Sequence, residues 1–225
     1  MPIINYDRKE IQFKVVYYGP ALCGKTANLM HLHSQATLDS KGGKVSLATA
    51  ADCTLYFDFL PLDTLAIEGF RTRFQLYPAP GQIIYNATRQ LILRGVDGLV
   101  FVADSQWEKM EENVESFRGL EENLLKQNTS LDEIPYVLQY NKRDLSHVAP
   151  FKYMEYALNH RAVRVPSFES SAATGQNVFA TLNAISHRLL SRFTASQPSA
   201  SPWDVQPAWE PGARARADVP VLCAA

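Results

Sequence analysis

The sequence predicts an α/β domain with a central, mostly parallel sheet flanked by helices. Strand-like and helix-like segments alternate along the chain, which is typical of strands joined by right-handed helical crossovers. The run from Gly98 to Ala103 (GLVFVA) carries no polar side chain, as expected of a strand buried on both faces. Polar motifs follow several predicted strands directly, and ligands of parallel sheets bind at the carboxyl ends of strands. We therefore expect one ligand site along this edge.

Hydrophobic periodicity indicates the individual elements. The segment from Phe70 to Tyr77 alternates between apolar and polar residues, as in a strand with one buried face. The segment from Trp107 to Gln127 places apolar residues at three- and four-residue steps, which predicts an amphipathic helix. The other predicted elements are strands at 11–18, 98–103, 134–140 and 167–169, and helices at 26–38 and 178–189.

Composition bounds the class of protein. The chain has 225 residues, 46% of them hydrophobic, and a net charge of −1, which suits one domain with an appendage and argues against a nucleic-acid-binding surface. We expect a cytoplasmic protein without its own membrane anchor, because no apolar run reaches the roughly 18 residues of a membrane span. The folded domain is predicted at 1–195. Residues 196–225, rich in Pro, Ala and Ser, are predicted to form a disordered tail, although Trp203 and Trp209 leave an anchoring role open.

Residues 19–26 (GPALCGKT) match G-x-x-x-x-G-K-[ST], the pattern of a phosphate-binding loop. Backbone N–H groups between the two glycines converge on a polyphosphate, Lys25 places a cation on its β and γ phosphates, and the Thr26 hydroxyl ligates Mg²⁺. The predicted strand before this loop and the helix after it supply the required context. The expected phosphate-binding residues of the loop are Gly19, Cys23, Gly24, Lys25, Thr26 and Ala27.

A guanine-reading pattern, N-K-x-D, follows the strand that ends at Tyr140 (NKRD, 141–144). The two carboxylate oxygens of Asp144 match the N1–H and amino group of guanine, and the adenine edge leaves them unpaired, which costs about 2–4 kcal/mol. The stem of Lys142 can pack along the base, and Asn141 can brace the neighbouring loops. The predicted nucleotide is therefore GTP or GDP.

Two further segments have the features of a site that senses and cleaves a γ-phosphate. In the sequence PGQ (80–82), Gly81 offers an N–H to the γ-phosphate and Gln82 orients the attacking water. Residues 52–61 form the predicted first switch, in which Thr54, after a loop at 39–51, is a second Mg²⁺ ligand. Thr54 equally suits the start of an ordinary strand. The aspartate three residues before Gly81 in the usual pattern is replaced by Pro78, and we expect Asp52 or Asp58 to substitute for it.

These stretches resemble the MglA-type bacterial Ras-like GTPases, which govern cell polarity and gliding motility. The shared motifs are VYYGPALCGKT at 16–26, TLYFDFLPL at 54–62, PGQ at 80–82, LILRGVDGLVFVADS at 91–105 and QYNKRDL at 139–145. The resemblance implies a Ras-like domain of the P-loop NTPase class that switches between GTP and GDP with Mg²⁺ and slowly hydrolyses GTP. It further implies polarity or motility effectors and a Roadblock-type activating partner similar to MglB. Ser171 and Ala172 are implied to offer a backbone N–H to guanine, although an ordinary strand-to-helix turn would have the same sequence and Ala173 replaces the usual lysine.

Two departures from the family leave the rate of hydrolysis open. Cys53 stands where such proteins often carry an intrinsic arginine finger, a group worth about 10³–10⁵ in rate, and Pro78 replaces a threonine. A slow GTPase and a GTP-binding scaffold with little turnover are therefore both open. Arg71 or Arg73 is a candidate substitute for the finger, although both better suit the solvated face of the predicted strand, and no sequence feature places either at the γ-phosphate. A small-molecule kinase is disfavoured by the NKRD motif, and redox control through Cys23 and Cys53 is open.

Overall fold

The computed structural model describes residues 2–38, 47–50, 54–59, 69–81 and 86–196, with side chains at 2–35, 69–81 and 86–196. Strands and helices alternate along most of this part of the chain. The strands are β1 (Ile3–Asn5), β2 (Glu10–Tyr18), β3 (Leu47–Ala50), β4 (Thr54–Phe59), β5 (Arg71–Pro78), β6 (Gly98–Asp104), β7 (Tyr136–Asn141) and β8 (Ser167–Glu169). The helices are α1 (Lys25–Leu38), α2 (Asn86–Leu93), α3 (Met110–Leu125), α4 (Phe151–Leu158) and α5 (Val178–Ser196).

The described strands form one sheet in the order β3-β4-β5-β2-β6-β7-β8, and β1 pairs with the first residues of β2. The five strands from β5 to β8 in this order are parallel, whereas β1, β3 and β4 add antiparallel pairings. The predicted fold class is therefore confirmed. Because β5, β2, β6, β7 and β8 run in the same direction, their carboxyl ends lie at one edge of the sheet.

Helices cover both faces of the sheet. The core on one face contains side chains of α1 and α5 together with Val15 and Tyr17 of β2. The core on the other face contains side chains of α2, α3 and α4 together with Val16 and Tyr18 of the same strand. Consecutive residues of β2 therefore enter opposite cores, as the two-residue period of a strand requires.

Several predicted boundaries need correction. The loop expected at 39–51 includes strand β3, which pairs with β4, so Thr54 begins a strand opposite Ala50. The helix expected from Trp107 begins with a 3-10 turn and becomes α-helical at Met110. It ends at Leu125 rather than Gln127, just before Asn128 adopts a left-handed backbone conformation with φ of 55°.

The strand expected at 134–140 begins two residues later, at Tyr136. Ile134 closes a 3-10 turn at Leu131–Glu133, and Pro135 has no N–H to donate to a neighbouring strand. Helices α2 and α4 were not predicted. Helix α5 extends to Ser196, one residue past the expected domain boundary, and residues 197–225 lie outside the described part of the chain. None of the described helices is long and apolar enough to cross a membrane.

Candidate nucleotide site

The phosphate loop, residues 19–26, connects β2 to α1 at the carboxyl edge of the sheet. Its two glycines lie where no larger residue fits. A Cβ on Gly19 would lie 2.1 Å from the carbonyl oxygen of Val102, and a Cβ on Gly24 would lie 2.1 Å from Nδ2 of Asn141. Both have positive φ, 152° and 100°, so the sequence pattern reflects close packing as well as backbone conformation.

Lys25 is folded into the phosphate loop. Its ammonium donates to the carbonyl oxygens of Gly19 and Pro20, at 2.8 and 2.5 Å, and lies 3.6 Å from the sulfur of Cys23. Burial lowers the pKa of Lys25, because the charged ammonium has lost water. A polyphosphate at this loop would supply the negative charge that the neutral carbonyl groups do not.

The sulfur of Cys23 is fully buried beneath this loop. Burial raises the pKa of the Cys23 thiol, although the neighbouring Lys25 ammonium opposes the shift. A thiol with a raised pKa is a poor redox sensor, since the thiolate is the reactive form. Redox control through Cys23 therefore has no support, and Cys53 lies outside the described residues.

Gly81 packs directly onto the phosphate loop. A Cβ at Gly81 would lie 2.5 Å from the backbone nitrogen and Cα of Ala21. The two segments form a cleft of about 330 Å³, which has the dimensions of a small-ligand site. Its lining consists of Leu22, Gly24, Lys25, Thr26, Ala27 and the segment 78–81, so five of the predicted phosphate-binding residues lie together here.

Asn141, the last residue of β7, joins the phosphate loop to the loops predicted to bind guanine. Its side chain is buried, and Nδ2 donates to the carbonyl oxygen of Cys23 at 2.8 Å. Its Oδ1 accepts from the backbone N–H of Ala172 at 2.9 Å, so a guanine O6 at that N–H would share the donor with Asn141. The bracing role predicted for Asn141 therefore has a definite geometry, with one amide group contacting two loops.

Two other residues of the NKRD motif, Lys142 and Arg143, have polar partners that the sequence does not predict. The ammonium of Lys142 lies 2.6 Å from a carboxylate oxygen of Asp104, the buried last residue of β6. Arg143 pairs with Glu169 at 2.7 Å and donates to the carbonyl oxygen of Ala149 at 2.6 Å. One feature of the sequence could have identified Asp104 as a site residue. It directly follows the apolar run of β6, at the same edge of the sheet as the phosphate loop. Asp144 remains exposed and available to a ligand.

Ser171 is buried in the second predicted guanine loop. Its hydroxyl oxygen accepts from the N–H of Thr174 at 3.2 Å, and its own N–H donates to the carbonyl oxygen of Gln176 at 3.1 Å. Ser171 therefore shapes the turn that presents Ala172, and the backbone contact of this loop with guanine stays a prediction.

Arg71 and Arg73 do not lie at the phosphate loop, which agrees with the alternative that they occupy the solvated face of a strand. Arg71 is the strand-register partner of Glu10 at the start of β2, at the edge of the sheet opposite the phosphate loop, and the guanidinium of Arg73 lies 4.0 Å from the carboxylate of Glu10. Neither arginine can replace an arginine finger. Gln82, Cys53, Asp52 and the side chains of Thr54 and Asp58 lie outside the described residues.

Comparison with known proteins agrees with this arrangement. Residues 14–191 match the Ras family. The Mutual gliding-motility protein MglA of Myxococcus xanthus (strain DK1622) is 52% identical over 190 residues, which are 84% of this chain and 96% of that protein. The Ras match begins in β2, ahead of the phosphate loop, and ends within α5, so it spans all five strand ends at the site. The chain therefore belongs to the Ras family of small GTPases, and the predicted resemblance to MglA is confirmed.

Proposed function

We propose that this small GTPase is a GTP/GDP switch that regulates gliding motility or cell polarity and hydrolyses GTP slowly. The observation that carries this proposal is the side chain of Asn141, which links the phosphate loop to the predicted guanine loop through Cys23 and Ala172. One rigid connection between the two half-sites suits a ligand that has both a polyphosphate and a base. Motility is the process in the name of the relative from Myxococcus xanthus.

The phosphates bind at the loop 19–26 and at Gly81. Lys25 exchanges its bonds to two backbone carbonyl groups for bonds to phosphate oxygens, which are charged and form stronger hydrogen bonds. Backbone N–H groups of the loop and of the first turn of α1 add further donors at a helix N-terminus, where negative charge is favoured. The N–H of Gly81 then contacts the γ-phosphate, since Gly81 lies against the backbone of Ala21.

The base binds between the residues that follow β7 and β8. Asp144 accepts from the N1–H and amino group of guanine, and the stem of Lys142 lies along the ring. The ion pair with Asp104 holds the Lys142 ammonium in place, which leaves its methylene groups to make this contact. The N–H of Ala172 donates to guanine O6.

The donors present fit Mg²⁺. Thr26 lines the cleft beside Lys25, and hydroxyl, phosphate and water oxygens are the ligands this ion favours. In the described part of the chain no group of three His, Cys, Asp or Glu residues could hold a metal ion by itself, so the nucleotide would supply most of the charge. Thr26 and Thr54 would hold the ion, which neutralises charge on the β and γ phosphates when bound. Pro78 supplies no carboxylate, and Asp52 or Asp58 takes that role.

Slow turnover follows from the residue that stands at the arginine-finger position of the sequence pattern. Cys53 carries no positive charge, and Arg71 and Arg73 lie at the opposite edge of the sheet. Hydrolysis then depends on Gln82, which orients the water, and on stimulation by a Roadblock-type partner similar to MglB. The switch acts in the cytoplasm through motility or polarity effectors. The alternative, a GTP-binding scaffold with little turnover, is favoured by the same cysteine.

Single-turnover hydrolysis of GTP, with and without a Roadblock-type partner, tests this proposal. We expect slow hydrolysis that the partner accelerates and that Gln82→Leu removes without loss of GTP binding. GTP bound but unchanged under both conditions would instead establish the scaffold. A protein that binds no guanine nucleotide would exclude both functions.

A further inference from the structure

A polar cluster lies in the core beneath α2, next to the nucleotide site. Tyr18 is the last residue of β2 and directly precedes Gly19, and its side chain is fully buried. Its hydroxyl oxygen accepts from Nη1 of Arg89 and from Nδ2 of Asn123, each at 3.3 Å. One phenol oxygen thus joins the strand that leads into the phosphate loop to both α2 and α3.

Asn123, on α3, extends these contacts to the start of α2. Its Nδ2 also donates to Oδ1 of Asn86 at 2.9 Å, and its Oδ1 accepts from Nε2 of Gln90 at 3.1 Å. Asn123 is buried, and both ends of its amide have partners. The first and fifth residues of α2 are therefore held by one side chain of α3.

Such a cluster fixes position more strictly than apolar packing does. A helix that packs through apolar side chains can slide by a fraction of an ångström at little cost, whereas a buried hydrogen bond is lost if its geometry fails. The position of α2 matters to the site because only four residues, 82–85, separate Asn86 from Gly81 in the sequence. Gly81 in turn packs on Ala21 of the phosphate loop. Gln82 is thus flanked in the chain by two anchored positions.

We propose that Tyr18 is a positioning residue for GTP hydrolysis, because its hydroxyl, together with Asn123 and Arg89, fixes α2 relative to the phosphate loop. The proposal rests on the proposed function, in which Gly81 contacts the γ-phosphate and Gln82 orients water. The side chain of Tyr18 is fully buried, so we assign it a positioning role rather than a contact with the nucleotide.

Tyr17 supplies a matched control. It is the neighbouring residue on the same strand, and its side chain is also fully buried, but it enters the opposite core between α1 and α5. Among the described residues its hydroxyl oxygen has no hydrogen-bond partner. Tyr17→Phe and Tyr18→Phe therefore remove the same atom from equally buried positions, and only Tyr18→Phe breaks the cluster.

The experiment measures single-turnover hydrolysis by full-length protein loaded with GTP, with and without a Roadblock-type partner, and the affinities for GTP and GDP. We expect Tyr18→Phe to hydrolyse GTP about fivefold more slowly, equivalent to about 1 kcal/mol of activation free energy, with GDP affinity within twofold of wild type. Tyr17→Phe should match wild type in both. In a double-mutant cycle with Asn123→Leu, the two losses should be less than additive, because both variants break the same contact.

Three results would overturn the positioning role. They are a Tyr18→Phe rate equal to that of Tyr17→Phe, a parallel loss of GDP affinity and rate, and strictly additive effects in the double-mutant cycle. If wild-type protein hydrolyses no GTP, the result excludes the GTP hydrolysis of the proposed function and does not test the positioning role. The ratio of GTP to GDP affinity then decides the inference, since a displaced α2 lowers this ratio in Tyr18→Phe, whereas an unchanged ratio excludes the role.

Discussion

Replacement of Asn141 by alanine tests whether one side chain holds the two halves of the nucleotide site together. The substitution deletes the 2.8 Å bond to the carbonyl oxygen of Cys23 and the 2.9 Å bond from the N–H of Ala172. A buried polar group left without a partner costs about 1–3 kcal/mol, and the half-buried amide of Ala172 should cost about 1 kcal/mol because water reaches part of it. We therefore expect a total loss of about 2–4 kcal/mol.

In a domain of this size 1 kcal/mol shifts the unfolding midpoint by about 2–4 °C, so Asn141→Ala should lower the midpoint by about 5–15 °C. Thermal unfolding of nucleotide-free protein, followed by circular dichroism, measures this shift. Ser170→Ala is the matched control, since the hydroxyl of Ser170 lies 3.5 Å from both Oδ1 of Asn141 and the carbonyl oxygen of Tyr140 and makes only marginal hydrogen bonds. A midpoint for Asn141→Ala within about 1 °C of wild type, or an equal loss for Ser170→Ala, would refute this reasoning.

Gly24→Ala should unfold at lower temperature and bind GDP poorly, because its Cβ would meet the amide of Asn141 at 2.1 Å, whereas Gly119→Ala on α3 should be neutral or stabilising since no atom lies within 4 Å of its added Cβ. Normal GDP binding by Gly24→Ala would contradict this packing. Above about pH 10.5 the free energy of unfolding should fall as the pH rises. Burial raises the pKa of four tyrosines above the usual value of 10.0, so the folded chain keeps protons that the unfolded chain releases. These residues are Tyr17, Tyr18, Tyr136 and Tyr140. Burial lowers the pKa of Lys14 and Lys25, so these lysines make the free energy of unfolding rise with pH. Their effect ends near pH 10.5, the usual pKa of lysine, where the unfolded chain also loses the proton. Urea unfolding at pH 9, 10.5 and 11.5 measures the effect, and a free energy of unfolding that stays level from 10.5 to 11.5 would exclude it.

The sequence predicted those parts of the fold whose pattern is local. The phosphate loop lies between a strand rich in β-branched and aromatic residues and a helix. The apolar run of β6 is long enough to identify a buried strand. Helices α2 and α4 have eight residues each, which is barely two turns and shorter than the roughly 11 residues over which a helical period can be recognised. Strand β3 lies in a segment rich in small residues, and it is defined by its pairing with β4 rather than by its own composition.

Site residues could be predicted from the sequence only where they belong to a recognisable motif. Asn141 was assigned a bracing role because the NKRD motif includes it, but its two partners, Cys23 and Ala172, are 118 and 31 residues away in the chain. The pair formed by Lys142 and Asp104 has no local pattern, because it arises from the adjacency of β6 and β7 in the sheet. Contacts between neighbouring strand ends depend on strand order, which hydrophobic periodicity does not specify.

Competition between GTP and ATP for the nucleotide-free protein, compared in wild type and Asp144→Ala, tests the central claim most directly. If Asp144 reads guanine as proposed, wild type should prefer GTP by a factor of about 30–1,000, equivalent to about 2–4 kcal/mol. Asp144→Ala should lose most of this preference through weaker binding of GTP, with ATP binding little changed. Comparable affinities for GTP and ATP in wild-type protein, or a full preference for GTP in Asp144→Ala, would contradict the account.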